Sequence, residues 1–171
     1  MNHPYLDTLK DACTEGRVWA LKNNIQSDSE AWTRLQRPDW MLWLAENRGV
    51  ELDESKLRLF ACDCAEQALP LYERDYPDDK RPRQAIAVAR RFANGEATRE
   101  ELAAAWDAAK AAAWAAAWAA GDAAKAAAWA AGDAAKAAAR AAAWDAAMAA
   151  AWAYQAAKLR EYFPNPFEVT K

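Results

Sequence analysis

The chain has 171 residues, a formal net charge of −3 and a composition in which 54% of the residues are hydrophobic. This length is enough for one domain with a sizeable core, and the slightly acidic balance argues against general nucleic-acid binding, which needs a basic face. Only 5 glycines and 7 prolines interrupt a chain with 10 tryptophans and an alanine-rich second half. The composition therefore predicts an all-α protein.

The cysteine and histidine content predicts neither a disulfide framework nor a metal site. There are 3 cysteines and 1 histidine, whereas a structural zinc ion needs four ligands. The N-terminal segment carries charges where a signal peptide needs an apolar run, and charges interrupt every window long enough to span a membrane. We therefore expect a cytoplasmic protein with no metal, no cofactor and no membrane contact.

Residues 1–97 are predicted to form several short helices. One begins at Pro38, which suits a first helical turn, and stops at Gly49, which suits a helix end. Trp40, Trp43 and Leu44 would share one face of this helix. We expect these large apolar side chains to lie in the core.

The stretch KLRLFACDCAEQALPLYERDY, residues 56–76, predicts an amphipathic helix. Apolar residues recur in it at helical spacing: Leu57, Phe60, Ala61, Cys64, Ala68, Leu71 and Tyr72. This pattern places Cys64 on the buried face as a small hydrophobic residue. Pro70 is expected to kink or end the helix, because proline lacks a backbone N–H.

The polar connector YPDDKRPR, residues 76–83, concentrates carboxylates beside Arg81 and Arg83. One interpretation is a connector between helices that is held by salt bridges. The other is a contact for an anion or a partner, since arginine binds carboxylate or phosphate bidentately. A further helix is predicted to follow, with Pro82 early in it and Gly95 after its end.

Residues 98–162 consist almost throughout of good helix formers, with a capping box at Thr98 and Glu101. One unbroken helix would measure ~100 Å at ~1.5 Å per residue, against about 40 Å for a compact globule of this chain length. We therefore expect either breaks at Gly121 or Gly132 or an elongated, oligomeric molecule. Continuity is favoured, because the repeat AAAWAAGDAAK occurs twice and two breaks would leave a very short middle helix.

The tryptophans and charged residues of this segment form a single ribbon along the predicted helix, while alanine covers the rest. The ribbon either covers other helices or a second subunit, or it is a recognition surface, because tryptophan and arginine are common in binding hot spots. Tryptophan beside lysine or arginine suits an aromatic or anionic ligand. The candidate binding residues are Trp106, Lys110, Trp114, Trp118, Lys125, Trp129, Lys136, Arg140 and Trp144, together with Arg81 and Arg83.

Catalysis has little support in the sequence. It shows no nucleophile with a partner histidine, no glycine-rich phosphate loop and no paired metal ligands. We therefore predict a protein that is not an enzyme. Its organisation is predicted as one helical domain over 1–171, with short helices in 1–97, the long helix in 98–163 and a tail in 164–171.

Residues 56–113 resemble the alanine-rich immunity proteins, the fifth immunity family of bacterial polymorphic toxin systems, which has relatives in phage and prophage genomes. The stretches that carry the resemblance are RLFACDCAE, YPDDKRPR, ANGEATREEL and the alanine run with interspersed tryptophans. The resemblance implies an all-helical, non-enzymatic protein that neutralises something by binding it, and it brings no catalytic residues. A phage setting would imply counter-defence.

The leading hypothesis is therefore a binding protein of the immunity or counter-defence type, built as a homo-oligomer on the long helix. It would inhibit a toxin or a host defence protein, or sequester a small nucleotide signal by stacking tryptophans on its bases. The alternative is a purely structural helical module for oligomerisation or assembly.

Overall fold

The computed structural model describes residues 4–108 and 134–168, and within the second range it describes side chains from residue 148 onward. All regular elements in these ranges are α-helices, which confirms the predicted all-α class. No helix in the described ranges is long and apolar enough to cross a membrane. The helices are α1 Pro4–Asp7, α2 Thr14–Lys22, α3 Asp28–Arg34, α4 Pro38–Asn47, α5 Glu54–Asp75, α6 Arg81–Ala93, α7 with helical residues 99–108, and α8 Ala134–Tyr162.

Contacts between residues divide the chain into two compact units. The first unit combines Met1–Leu52 with Ala149–Lys171, and the second unit is Asp53–Met148. The single domain over 1–171 stays a prediction.

The core of the first unit is built around Trp32 of α3, which is fully buried. The rings of Phe167 and Trp32 meet edge to face, with centroids 5.9 Å apart. Arg160 of α8 donates to the backbone carbonyls of Trp32, at 3.0 Å, and of Leu35, so the end of α8 is tied to the end of α3. The largest fully buried side chains are Trp32, Ile25, Met41 and Leu159.

A charged network connects α1, α3 and the end of α4 in the first unit. The Tyr5 hydroxyl donates to Asp28 Oδ1 at 2.9 Å, and Arg48 Nε donates to Asp28 Oδ2 at 2.9 Å. Arg48 also donates to the carbonyl of Thr8 at 3.1 Å. Burial and the bond to Asp28 raise the pKa of the Tyr5 phenol. Gly49 adopts φ of +67°, so α4 ends beside a glycine as predicted.

The second unit contains an antiparallel pair, α5 and α6, that is joined by ion pairs. Arg90 of α6 donates to Asp63 at 2.5 Å and to Glu66 at 2.7 Å. Arg83 forms a two-pronged pair with Glu73 at 2.7 and 2.6 Å. Because all three carboxylates lie on α5, they fix which face of α5 meets α6.

The predicted buried face of α5 is only partly correct. Phe60 is buried as expected, but the buried cysteine is Cys62, whose thiol lies 3.9 Å from the Ile86 carbonyl, while Cys64 is half-buried. Leu71 is 64% exposed, whereas Leu69 is buried. The reason is that the arginines of α6 pair with carboxylates of α5. These carboxylates lie on a different face of α5 from most of its apolar residues.

Of the two outcomes expected for Pro70, a kink or a helix end, the helix end is wrong, and the kink stays a prediction. The helix continues through Pro70 to Asp75. Pro70 is exposed, and the turn that follows it is held by the Glu73–Arg83 ion pair. One missing backbone N–H therefore does not terminate the helix here.

The predicted capping box at the start of α7 is confirmed. The Thr98 N–H donates to Glu101 Oε2 at 2.8 Å, and the Glu101 N–H donates to Thr98 Oγ1 at 3.2 Å. Helix begins at residue 99, and α8 ends at Tyr162. One very long helix is not shown: the described C-terminal helix, Ala134–Tyr162, has 29 residues. The candidate breaks at Gly121 and Gly132 lie outside the described residues, and continuity stays a prediction.

Candidate functional site

The predicted binding residues are distributed unevenly over the described structure. Trp106 lies on α7 with 61% of its surface exposed, and Arg81 and Arg83 lie in the first turn of α6. Lys136, Arg140 and Trp144 belong to the helical backbone of α8, where side chains are not described. The ribbon itself therefore stays a prediction. Outside the described residues lie Lys110, Trp114, Trp118, Lys125 and Trp129.

The two arginines of the connector are both engaged by carboxylates. Arg81 donates to both oxygens of Asp79, at 2.9 and 2.6 Å, and the Tyr72 hydroxyl also donates to Asp79, at 2.7 Å. Arg83 is paired with Glu73. These bonds agree with the interpretation of a connector held by salt bridges, because a phosphate would have to displace a carboxylate from either arginine.

Acid should weaken this connector. The hydrogen bonds from Arg81 and Tyr72 hold the pKa of Asp79 well below its ordinary value of 3.8. The contribution of Asp79 to stability is therefore complete above that ordinary value and is lost as pH falls towards the folded-state pKa. Urea unfolding at neutral pH and at about pH 2.5 should show that the stability difference between the wild type and Asp79→Asn shrinks in acid. A difference that does not change between the two pH values would contradict this reading.

The first unit contains a cleft, here called the Trp cleft, with a volume of about 350 Å³. Its walls include the rings of Trp19, Trp40 and Trp43, and its polar rim includes Asp11 and Asp39. Buried apolar side chains complete the lining, and they come from α1, α2, α3 and α4 or from the residues just after these helices. The volume is at the lower end of the range for ligand sites, and suits a single side chain or a small molecule.

Two helices position the aromatic walls of the Trp cleft. Trp19 lies on α2, whose first turn is capped by the Cys13 thiol, which accepts the Gly16 N–H at 3.4 Å. Trp40 and Trp43 lie one helical turn apart on α4, which places them on the same side of the helix. The rings of Trp19 and Trp40 meet edge to face, with centroids 6.4 Å apart at an interplanar angle of 68°. All three tryptophans are half-buried, so part of each indole faces the solvent.

A guanidinium group already lies against one of these rings. The guanidinium carbon of Arg37 lies 4.6 Å from the centroid of Trp40 and 4.0 Å from that of Trp152. Arg37 also donates to both oxygens of Asp39, at 2.9 and 2.5 Å. This pairing lowers the pKa of the Asp39 carboxyl. The rim of the Trp cleft thus shows both elements of cation recognition: an aromatic face and a carboxylate.

The charge of the lining is negative. It includes the carboxylates of Asp11 and Asp39 and no lysine or arginine side chain. Arg37 neutralises Asp39, whereas Asp11 is exposed and makes no ion pair or hydrogen bond with the residues that the structure describes. The arrangement suits binding of an apolar or cationic group. Within the described ranges, no group of His, Cys, Asp and Glu side chains could hold a metal ion.

The Trp cleft was not predicted from the sequence. Trp40 and Trp43 were expected in the core, yet both are half-buried, while Leu44 on the same helix is buried as expected. The available signal was Asp39, a charged residue within the same turn as the tryptophans. A core face rarely tolerates a carboxylate so close, whereas a cleft rim does.

Comparison with protein families matches residues 50–161 to the family described as Imm-5 like putative immunity protein. This range contains α5, α6 and α7 and nearly all of α8, whereas the residues that line the Trp cleft precede it. Comparisons with curated proteins and with solved structures find no match. The match confirms the resemblance seen over residues 56–113 and covers more than half of the chain. The chain therefore belongs to the Imm-5 like family of immunity proteins, which supports an immunity-type role in which the protein binds a toxin partner.

Proposed function

We propose that this protein neutralises a protein toxin or a host defence protein by binding it stoichiometrically, without chemical turnover. The observation that carries the proposal is the family match over residues 50–161. A phage-encoded counter-defence role is one form of this function, with a defence protein as the target. In either form the protein acts by occupying a surface of its partner.

The state of the connector arginines favours a protein over a nucleotide as the partner. A nucleotide bound at the connector would need free cations for its phosphates, but Arg81 and Arg83 are held by Asp79 and Glu73. The net charge of −3 also disfavours a polyanionic ligand. Nucleotide sequestration remains the second form of the hypothesis. Nucleotide sequestration predicts that millimolar cyclic oligonucleotides raise the melting temperature of the wild type and do not raise that of Arg83→Gln.

Trp106 is the described residue best suited to anchor a protein partner. It is 61% exposed, and tryptophan is strongly enriched among residues that dominate binding energy. The start of its helix is fixed by the Thr98–Glu101 capping box and by the Arg91–Glu101 ion pair at 3.4 Å. An exposed indole on a fixed helical turn loses little conformational entropy on binding.

Replacing Trp106 with alanine should weaken binding of the partner about 30-fold, which corresponds to about 2 kcal/mol. The partner would be identified by affinity capture and mass spectrometry, then purified for calorimetric titration. Leu71→Ala is the matched control, because Leu71 is 64% exposed in the same unit. If Trp106→Ala binds the partner as tightly as Leu71→Ala and the wild type do, Trp106 does not belong to the interface.

The same variants separate the binding function from the structural alternative. A purely structural module predicts that Trp106→Ala changes the oligomeric state, measured by light scattering, and leaves partner binding intact. The binding function predicts the opposite result. The homo-oligomer itself stays a prediction that the light-scattering mass of the wild type tests.

A further inference from the structure

We propose that the Trp cleft binds a cationic side chain, an arginine that the partner protein inserts against the indole rings of Trp19, Trp40 and Trp43. The inference rests on the proposed function only for the identity of the partner. The preference of the cleft for a cation is inferred from residues of the first unit alone. The cleft lies outside the residues 50–161 that define the family match, so it adds a second contact to that of the matched region.

The aromatic walls of the Trp cleft suit a cation. Three half-buried indoles line one cleft of about 350 Å³, and an indole face attracts a cation more strongly than any other aromatic side chain does. A purely apolar core would enclose these rings. Here the edge-to-face contact of Trp19 with Trp40 fixes two of the rings at an angle in the wall of the cleft.

The negative charge of the lining also suits a cation. The lining carries Asp11 and Asp39 and no basic side chain, and Arg37 at the rim satisfies only Asp39. A cation entering the cleft would meet the Asp11 carboxylate, which has no partner among the described residues. The first turn of α2 also borders the cleft, but its Gly16 N–H is taken by Cys13, so it does not offer that donor to an anion.

The surroundings of the cleft favour arginine over lysine as the cation. The molecule itself holds the Arg37 guanidinium at 4.6 and 4.0 Å from two indole centroids and joins it to a carboxylate with two hydrogen bonds. A planar guanidinium stacks and bonds in this way, whereas an ammonium is a more strongly hydrated point charge. The cleft offers the same combination, indole faces beside a carboxylate, to a guanidinium from outside.

The test uses the full chain and Nα-acetyl-arginine amide as the probe. Titration would be followed by the indole N–H signals of the 10 tryptophans, with the Trp43 signal assigned from Trp43→Phe, which keeps an aromatic ring in the wall. We expect a saturable shift of the Trp19, Trp40 and Trp43 signals with a millimolar dissociation constant. Asp11→Asn should weaken binding about 5-fold, while the matched control Asp7→Asn, on α1 outside the lining, should not change it.

Three further probes decide between the possible ligands. Nα-acetyl-citrulline amide has the same shape without the charge, Nα-acetyl-leucine amide is apolar, and Nα-acetyl-glutamate amide is anionic. Weak or absent binding of all three supports the proposal. Equal binding of the citrulline or leucine probe would show a plain apolar groove and overturn it. Preferred binding of the glutamate probe, or no shift with any probe, would overturn it as well.

The outcome is distinguishable from that of the proposed function. If no partner is inhibited but the arginine probe binds as expected, the proposed function fails and the cleft chemistry stands. If a partner binds through Trp106 and the arginine probe fails, only the inference about the cleft is lost. If both succeed, Asp11→Asn should also weaken partner binding.

Discussion

Replacing Trp32 with alanine should lower the free energy of unfolding by about 3–5 kcal/mol, the largest stability effect that we expect of any substitution in the described residues. Trp32 has no exposed surface and packs edge to face against Phe167. Its removal would leave a cavity at the point where α3 meets the C-terminal residues of the first unit. Urea unfolding followed by far-ultraviolet circular dichroism would measure the change.

Trp32→Phe is the matched variant that separates packing from hydrogen bonding. The Trp32 Nε1 atom is buried and has no hydrogen-bond partner in the described structure. Phenylalanine removes this unpaired donor and keeps most of the ring, so it should cost less than about 1.5 kcal/mol. If Trp32→Phe costs as much as Trp32→Ala, the indole N–H has a role that the described contacts do not include.

Replacing Asp28 with alanine should lower the free energy of unfolding by about 2 kcal/mol. Asp28 accepts hydrogen bonds from the Tyr5 hydroxyl and from Arg48, and removing it leaves both donors without their carboxylate. Tyr5 is only 7% exposed, so its hydroxyl could recover few bonds to water. Partial exposure of the Asp28 and Arg48 side chains, at 26% and 21%, limits the effect of their ion pair.

A double-mutant cycle measures how far this network acts as a unit. Asp28→Ala and Tyr5→Phe should each be destabilising, and their combination should cost about 0.5–1.5 kcal/mol less than the sum. The same cycle between Asp28→Ala and Lys22→Ala is the control, because Lys22 is exposed and takes no part in the network. Additive effects in the Asp28–Tyr5 cycle would show that the hydrogen bond contributes no net stability.

Several helix ends could be predicted because local chemistry determines them. Pro38 begins α4, Gly49 and Gly95 follow helix ends with positive φ, and Thr98 with Glu101 caps α7. Each of these signals acts over a few residues. The residues near each helix end are therefore sufficient to predict it.

The face of α5 could not be predicted in the same way. The hydrophobic pattern alone favoured a face with Cys64 and Leu71, but Arg83 and Arg90 of α6 turn the carboxylate stripe inward. The face of a helix that is buried depends on residues of another helix, far along the chain. The hydrophobic pattern within one helix therefore cannot predict it.

The tryptophans illustrate the same limit for the candidate site. Trp32 is core and Trp40 lines a cleft, although both lie on short N-terminal helices. What separates them is distant in sequence: Phe167 packs against Trp32, while Trp152 meets Arg37 beside Trp40. The family resemblance could be recognised from the central stretch, but the Trp cleft lies before it.

The central claim is stoichiometric neutralisation by binding, and titration of the captured partner's own activity tests it most directly. We expect that activity to fall linearly as this protein is added and to vanish at equimolar amounts, with the partner recovered chemically unchanged after dissociation. Loss of activity at substoichiometric amounts, with a changed partner mass, would show an enzyme. Full partner activity in an excess of this protein would contradict neutralisation altogether.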